Sequence, residues 1–83
     1  MKLILVQNYQ IENHYTCQSV YPFEAESIAS AIDEAVTSKR KSDEEHGYPS
    51  WGFTYTFRGI EISSDDSIEI LSLDDWFNRN KIN

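Results

Sequence analysis

The sequence predicts an α+β domain: an antiparallel sheet of four to five strands in the order ββα-ββ(β), packed on one helix, with a short C-terminal helical turn. The first observation is the stretch Phe23 to Gly47, FEAESIASAIDEAVTSKRKSDEEHG. Within it Ile28, Ala31, Ile32, Ala35 and Val36 recur at the three-and-four spacing of one helical face. The second is the alternation of Trp51, Phe53, Tyr55 and Phe57 with Gly52, Thr54, Thr56 and Arg58, a half-buried strand pattern. The third is an argument from packing. A helix with one apolar stripe must cover it, and the strands on either side are its available partner. With 83 residues the chain makes one domain, residues 1–83, because a chain this short cannot divide into two cores.

The elements follow in order. Lys2 to Gln10 opens with an apolar run and reads as a central strand, covered on one or both faces. Gln10 to His14 is a hairpin loop. Tyr15 to Phe23 then alternates, with Tyr15, Cys17, Ser19, Tyr21 and Phe23 on one side. Pro22 lacks a donor and places this strand at an edge or at its end. Ser27 is the N-cap of the helix, and Gly47 followed by Pro49 stops it. The stripe ends at Val36, so the last two turns, Ser38 to Glu45, are expected to project into solvent as a charged rod end.

Trp51 to Phe57 is the aromatic wall facing the helix. A two-residue Arg58-Gly59 turn would pair Phe57 with Ile60 and Tyr55 with Ile62; the alternative is one strand running through Ile62 with Gly59 as a bulge. Ser63 to Ser67 is a turn by composition, and another strand follows. If Ile60, Ile62, Ile68 and Ile70 share the buried face of that hairpin, Glu61 falls directly opposite Glu69, at a local electrostatic cost. Ser72 to Asp75 starts a terminal helical turn that packs Trp76 and Phe77 on the sheet edge, and Asn78 to Asn83 form a loose tail.

Fourteen Asp and Glu against seven Lys and Arg give a net charge of -7, which repels nucleic acid and favours a basic partner protein or simple solubility. A single cysteine, Cys17, rules out an internal disulfide and suits a reducing compartment. The apolar run Leu3 to Val6 is too short for a signal-peptide core or a membrane span, so a cytoplasmic protein is expected. Chemistry is sparse. His14 and Cys17 lack a third partner, and His46 beside Gly47 reads as a helix-end residue. Asp43, Glu44, Glu45 and His46 are consecutive and point in different directions on a helix, and the Asp65-Asp66 turn lacks calcium-loop spacing. No enzyme activity, metal or other cofactor is expected.

What remains is acidic surface. The candidate partner-binding residues are Asp43, Glu44 and Glu45 at the rod end, Asp65 and Asp66 at the turn, Glu61 and Glu69 on the outer sheet face, and Asp74 and Asp75 near the terminus. Replacing Ile32 by Asp is expected to unfold the domain, whereas neutralising Glu44 and Glu45 should leave it folded.

In size, acidity and ββα-plus-meander layout the chain resembles the small proteins that bacteriophages use against host defences, anti-CRISPR proteins among them. FEAESIASAIDEA is similar to the strand-to-helix transition common in small phage and antitoxin proteins. The resemblance implies a non-enzymatic, stoichiometric inhibitor in the host cytoplasm. Such an inhibitor would occupy the basic nucleic-acid groove of a nuclease or CRISPR complex, with carboxylates where phosphates would sit. The alternative is an antitoxin-like or accessory subunit that forms a homodimer through a sheet edge, with Tyr48, Trp51 or Trp76 as anchors. A third reading, a small enzyme using Cys17 or His14, has the least in its favour.

Overall fold

The computed structural model describes residues 1–12, 15–47 and 52–79. In chain order the elements are β1 (Lys2–Ile11), β2 (Tyr15–Glu24), α1 (Ile28–His46), β3 (Thr54–Phe57), β4 (Ile60–Ser63), β5 (Ser67–Ser72) and α2 (Leu73–Arg79). The class is α+β, as the sequence predicts. The strands do not form one sheet, however, but a three-stranded sheet ordered β2-β1-β5 and a separate two-stranded sheet β3-β4.

The physical reason lies in β1. Leu3, Ile4, Leu5 and Val6 are all buried, so this strand needs cover on both faces and a neighbour on each side. β2 takes one side through the hairpin, with Val6 opposite Val20, and β5 takes the other, with Val6 opposite Glu69. The expected β4–β5 hairpin therefore does not form, and Glu61 does not face Glu69. β4 is only four residues long, whereas β1 offers β5 six partners. Pro22 lies on β2, an edge strand, where its missing N–H costs nothing.

Opposed residues in an antiparallel ladder share a face. Leu3, Leu5 and Gln7 thus lie with Phe23, Tyr21, Ile70 and Ile68, while Ile4 and Val6 lie with Leu71 and Glu69 on the other side. The first face carries the main core, in which Leu5, Ala35, Tyr55, Phe57 and Ile62 cluster and Phe23 meets Phe57 edge to face at 5.4 Å. Ile68 and Ile70 join this face, as their spacing predicts, although they arrive from a different strand partner. On the second face α2 contacts β1 and β5, and Arg79 pairs with Glu69 at 2.9 Å. The first two residues of the expected loose tail, Asn78 and Arg79, are therefore helix; residues 80–83 lie outside the described residues.

Helix α1 starts where its cap dictates. Ser27 Oγ accepts from the Ser30 amide at 3.0 Å, and Ser30 Oγ accepts from the Ser27 amide at 3.2 Å. Its buried residues are Ala31, Ala35 and Ser42. This corrects the sequence reading twice. Ile32 and Val36, on the same stripe, remain 44% and 49% exposed, because the helix rotates its smallest residues onto Tyr55 and Phe57 for close approach. Nor is the last part of the helix a free rod. Ser42 Oγ donates to the Thr54 carbonyl at 3.1 Å, and the His46 ring stacks on Phe53 at 5.2 Å.

The β3–β4 hairpin has the expected register, Phe57 opposite Ile60 and Tyr55 opposite Ile62. Arg58 and Gly59 both have positive φ, 50° and 82°, the turn that matches strand twist. Phe53, Tyr55 and Phe57 are buried as the aromatic wall. Trp51, Tyr48 and His14 lie outside the described residues.

Candidate functional site

A groove of about 450 Å³ runs between α1 and β5. Ile32, Val36 and Lys39 come from the helix, Ser67 to Ile70 from the strand, and Ala35 and Tyr55 lie in its wall. Two local rules build it. Ile32, Val36 and Lys39 succeed one another at helical spacing, so they form one ridge beside the buried alanines. Ile68 and Ile70 alternate with Glu69, so both isoleucines face this ridge while Glu69 faces α2.

The outer edge of β5 gives the groove its character. Alternate residues of a strand direct N–H and C=O to opposite sides, and β5 has a neighbour only at β1. No described residue bonds the outward groups. The open edge and the exposed apolar ridge therefore lie side by side. The β2 edge differs, since Pro22 interrupts its donors.

The electrostatics at one end of the groove are acidic. Burial pushes the Tyr55 phenol above its usual range, and the Asp66 and Asp43 carboxylates add to the shift. Asp66 has structural duties as well. Its Oδ2 accepts from Gln7 Nε2 at 2.7 Å and from the Ser63 amide at 3.3 Å, which tethers the β4–β5 turn to the central strand. Gln7 is buried and thereby satisfied.

The other acidic candidates are dispersed. Glu61 sits on β4 and accepts from Thr54 Oγ1 at 3.2 Å, whereas Glu69 belongs to the other sheet. Asp65 is exposed at the turn, Glu44 and Glu45 are exposed on α1, Asp43 is half-buried beside them, and Asp74 and Asp75 are exposed in the first turn of α2. The structure brings Asp43, Asp66 and Glu69 to the neighbourhood of the groove and leaves the rest as separate patches.

The Ser42–His46 pair resembles a hydroxyl–base arrangement, but its hydrogen bonds run elsewhere. His46 Nδ1 lies 2.8 Å from the Ser42 carbonyl oxygen, which can only accept, so this nitrogen carries the proton. It cannot also take a proton from Ser42 Oγ, 3.4 Å away, and that hydroxyl already donates to Thr54. The pair locks the end of α1 to β3. Cys17 is half-buried on β2 opposite Tyr9. Among the described residues no three His, Cys, Asp or Glu side chains converge as metal ligands. No described helix is long and apolar enough to cross a membrane.

Arg58 is the residue that sequence reading missed. From the hairpin turn its Nε and Nη2 reach the Glu34 carboxylate at 3.0 to 3.2 Å, and Nη1 donates to the Glu24 carbonyl at 2.7 Å. Its guanidinium also lies 5.6 Å from the centre of the Phe23 ring. The clamp ties the end of β2, helix α1 and the hairpin together opposite the groove-forming strand. No local signal announces it, since Glu34 is 24 residues away in sequence.

Comparison with protein-family models finds no match, and no curated protein or solved structure matches the chain either.

Proposed function

We propose that the protein is a non-enzymatic binding protein that engages a basic protein surface, with the α1–β5 groove as its recognition site. The observation that carries this is the pairing of Ile32 and Val36, half-exposed on one helical ridge, with a strand edge beside them that no described residue pairs. Among the described residues nothing covers either feature. The net charge of -7 supports the chemistry of the partner, because an acidic protein approaches a basic surface faster and at longer range than a neutral one. The nucleic-acid-binding groove of a defence nuclease or CRISPR effector is a surface of that kind, and charge is what favours it. The carboxylate-mimic form of the idea loses its central pair, since Glu61 and Glu69 are on different sheets.

The test is affinity capture with the partner identified, repeated with Ile32→Asp plus Val36→Asp and over a salt series. The expected outcome is binding that weakens with salt and is lost in the double variant. A partner retained undiminished by the double variant would refute the groove as the site.

A further inference from the structure

We propose that the occupant of the groove is an extended segment of a partner protein that adds to β5 as an antiparallel strand and carries an apolar–basic–apolar sequence, with its Lys or Arg facing Glu69. The inference rests on the groove being the recognition site and names what enters it. Strand addition satisfies the outward N–H and C=O groups of β5, which no described residue bonds. The register then fixes the side chains. Residues opposite Ile68 and Ile70 point into the groove beneath Ile32 and Val36, where the lining isoleucines, Ala35 and Val36 favour apolar groups. The residue between them points to the opposite face and meets Glu69.

Among the described residues Glu69 pairs with Arg79, and both side chains are 41 to 46% exposed. That leaves the carboxylate open to a second cation. A Lys or Arg directly opposite completes a charge network, whereas an acid is repelled.

The same arithmetic disfavours a second copy of this chain. For two β5 strands to pair antiparallel about a twofold axis with Ile68 opposite Ile70 in both directions, facing residue numbers must sum to 138, and Glu69 then faces Glu69 of the second copy. A sum of 136 places Ile70 against Asp66, and a sum of 140 places Ile68 against Ser72. Every symmetric pairing that keeps the faces matched either opposes two carboxylates or sacrifices an isoleucine pair. The net charge of -7 on each copy adds to the repulsion.

Two blocked nine-residue peptides test this, alike in Thr-rich flanks and differing at the centre, Val-Lys-Val in one and Val-Glu-Val in the other. Each is titrated to about 1 mM into ¹⁵N-labelled protein, a range suited to weak strand addition. The expected result is binding of the Val-Lys-Val peptide, with shifts and amide-exchange protection confined to Ser67–Ser72 and the α1 ridge. The Val-Glu-Val peptide should bind at least about fivefold more weakly. Glu69→Lys should reverse the preference; should that variant fold poorly, Glu69→Gln should abolish it. Equal binding of the two peptides, a preference unmoved at residue 69, or no binding of either overturns the proposal. So does a stable dimer through β5 that excludes the peptides. If no peptide binds while capture of a partner is still lost on Ile32→Asp plus Val36→Asp, strand addition is wrong and the groove reading stands. If capture is also indifferent to those substitutions, both fail.

Discussion

Ile32 and Ala35 are three positions apart on one helical stripe, and an aspartate at either tests which part of that stripe holds the fold together. An 83-residue domain has a total stability of about 4 to 12 kcal/mol. Ala35 is 4% exposed among Leu5, Tyr55, Phe57 and Ile62. A carboxylate there is taken out of water among apolar side chains, so its desolvation costs several kcal/mol, and the added volume costs about 1 to 3 more. The sum consumes most or all of the stability. Ile32 is 44% exposed, so slightly more than half of a full burial worth about 1.5 to 3 kcal/mol is at stake, about 0.8 to 1.7 kcal/mol. An aspartate there keeps its hydration. Urea unfolding followed by circular dichroism should show a cooperative transition for Ile32→Asp at a somewhat lower midpoint and none for Ala35→Asp. The result that would refute the reasoning is equal damage by the two, or a folded Ala35→Asp protein within about 1 kcal/mol of the parent. The outcome also decides whether Ile32→Asp can probe binding without disturbing the fold.

Further outcomes are expected elsewhere. Arg58→Ala should cost about 1 to 2 kcal/mol by urea titration, mostly from the bond to the Glu24 carbonyl and the Phe23 contact, since the Glu34 pair is about 40% exposed and screened; no measurable cost would remove the clamp from the account. Ser42→Ala should cost about 1 kcal/mol and raise amide exchange in the last turns of α1, because the anchor to Thr54 is lost; exchange unchanged there would mean that the His46–Phe53 stack holds the helix end by itself. Tyr55 keeps its proton in the folded state at a pH where the unfolded chain, titrating near 10.0, has released it. Its contribution to stability is thus full below that value and lost as pH rises through the raised folded value. Tyr55→Phe should flatten the alkaline slope of stability, and identical slopes for the two proteins would contradict the assignment. Gly59→Ala should lower stability by about 1 to 2 kcal/mol although its site is open, because φ of 82° strains any side-chain-bearing residue.

Features set by neighbouring residues are the most legible in the sequence, and particular residues show why. The Ser27 cap, the Arg58-Gly59 hairpin and the pairing of Phe57 with Ile60 each depend on residues within a few positions of one another. So does the helical start at Ser72, whose Oγ accepts from the Asp75 amide. The groove was only half legible. Its residues are present in the stripes that the periodicity marks, but nothing local says that Ile32 and Val36 stay uncovered or that β5 ends at an edge. Charge marks the candidate acids in the sequence, but nothing near Asp66 signals its bond to Gln7, 59 positions away.

The sequence by itself determined where the long helix and the main strand segments lie, the Ser27 cap and the Arg58-Gly59 turn, and which strand side chains share a face. Those properties follow from backbone periodicity and short-range hydrogen bonding. Only the tertiary structure decided that β5 joins β1 and not β4, because that choice sets Val6 against Glu69, 63 positions apart, and is driven by the need of a doubly apolar strand for cover on both sides. Only the tertiary structure, too, decided how far α1 rolls on the sheet. Alanines at positions 31 and 35 allow the closest contact with the aromatic wall, and that rotation turns Ile32 and Val36 toward the open edge of β5.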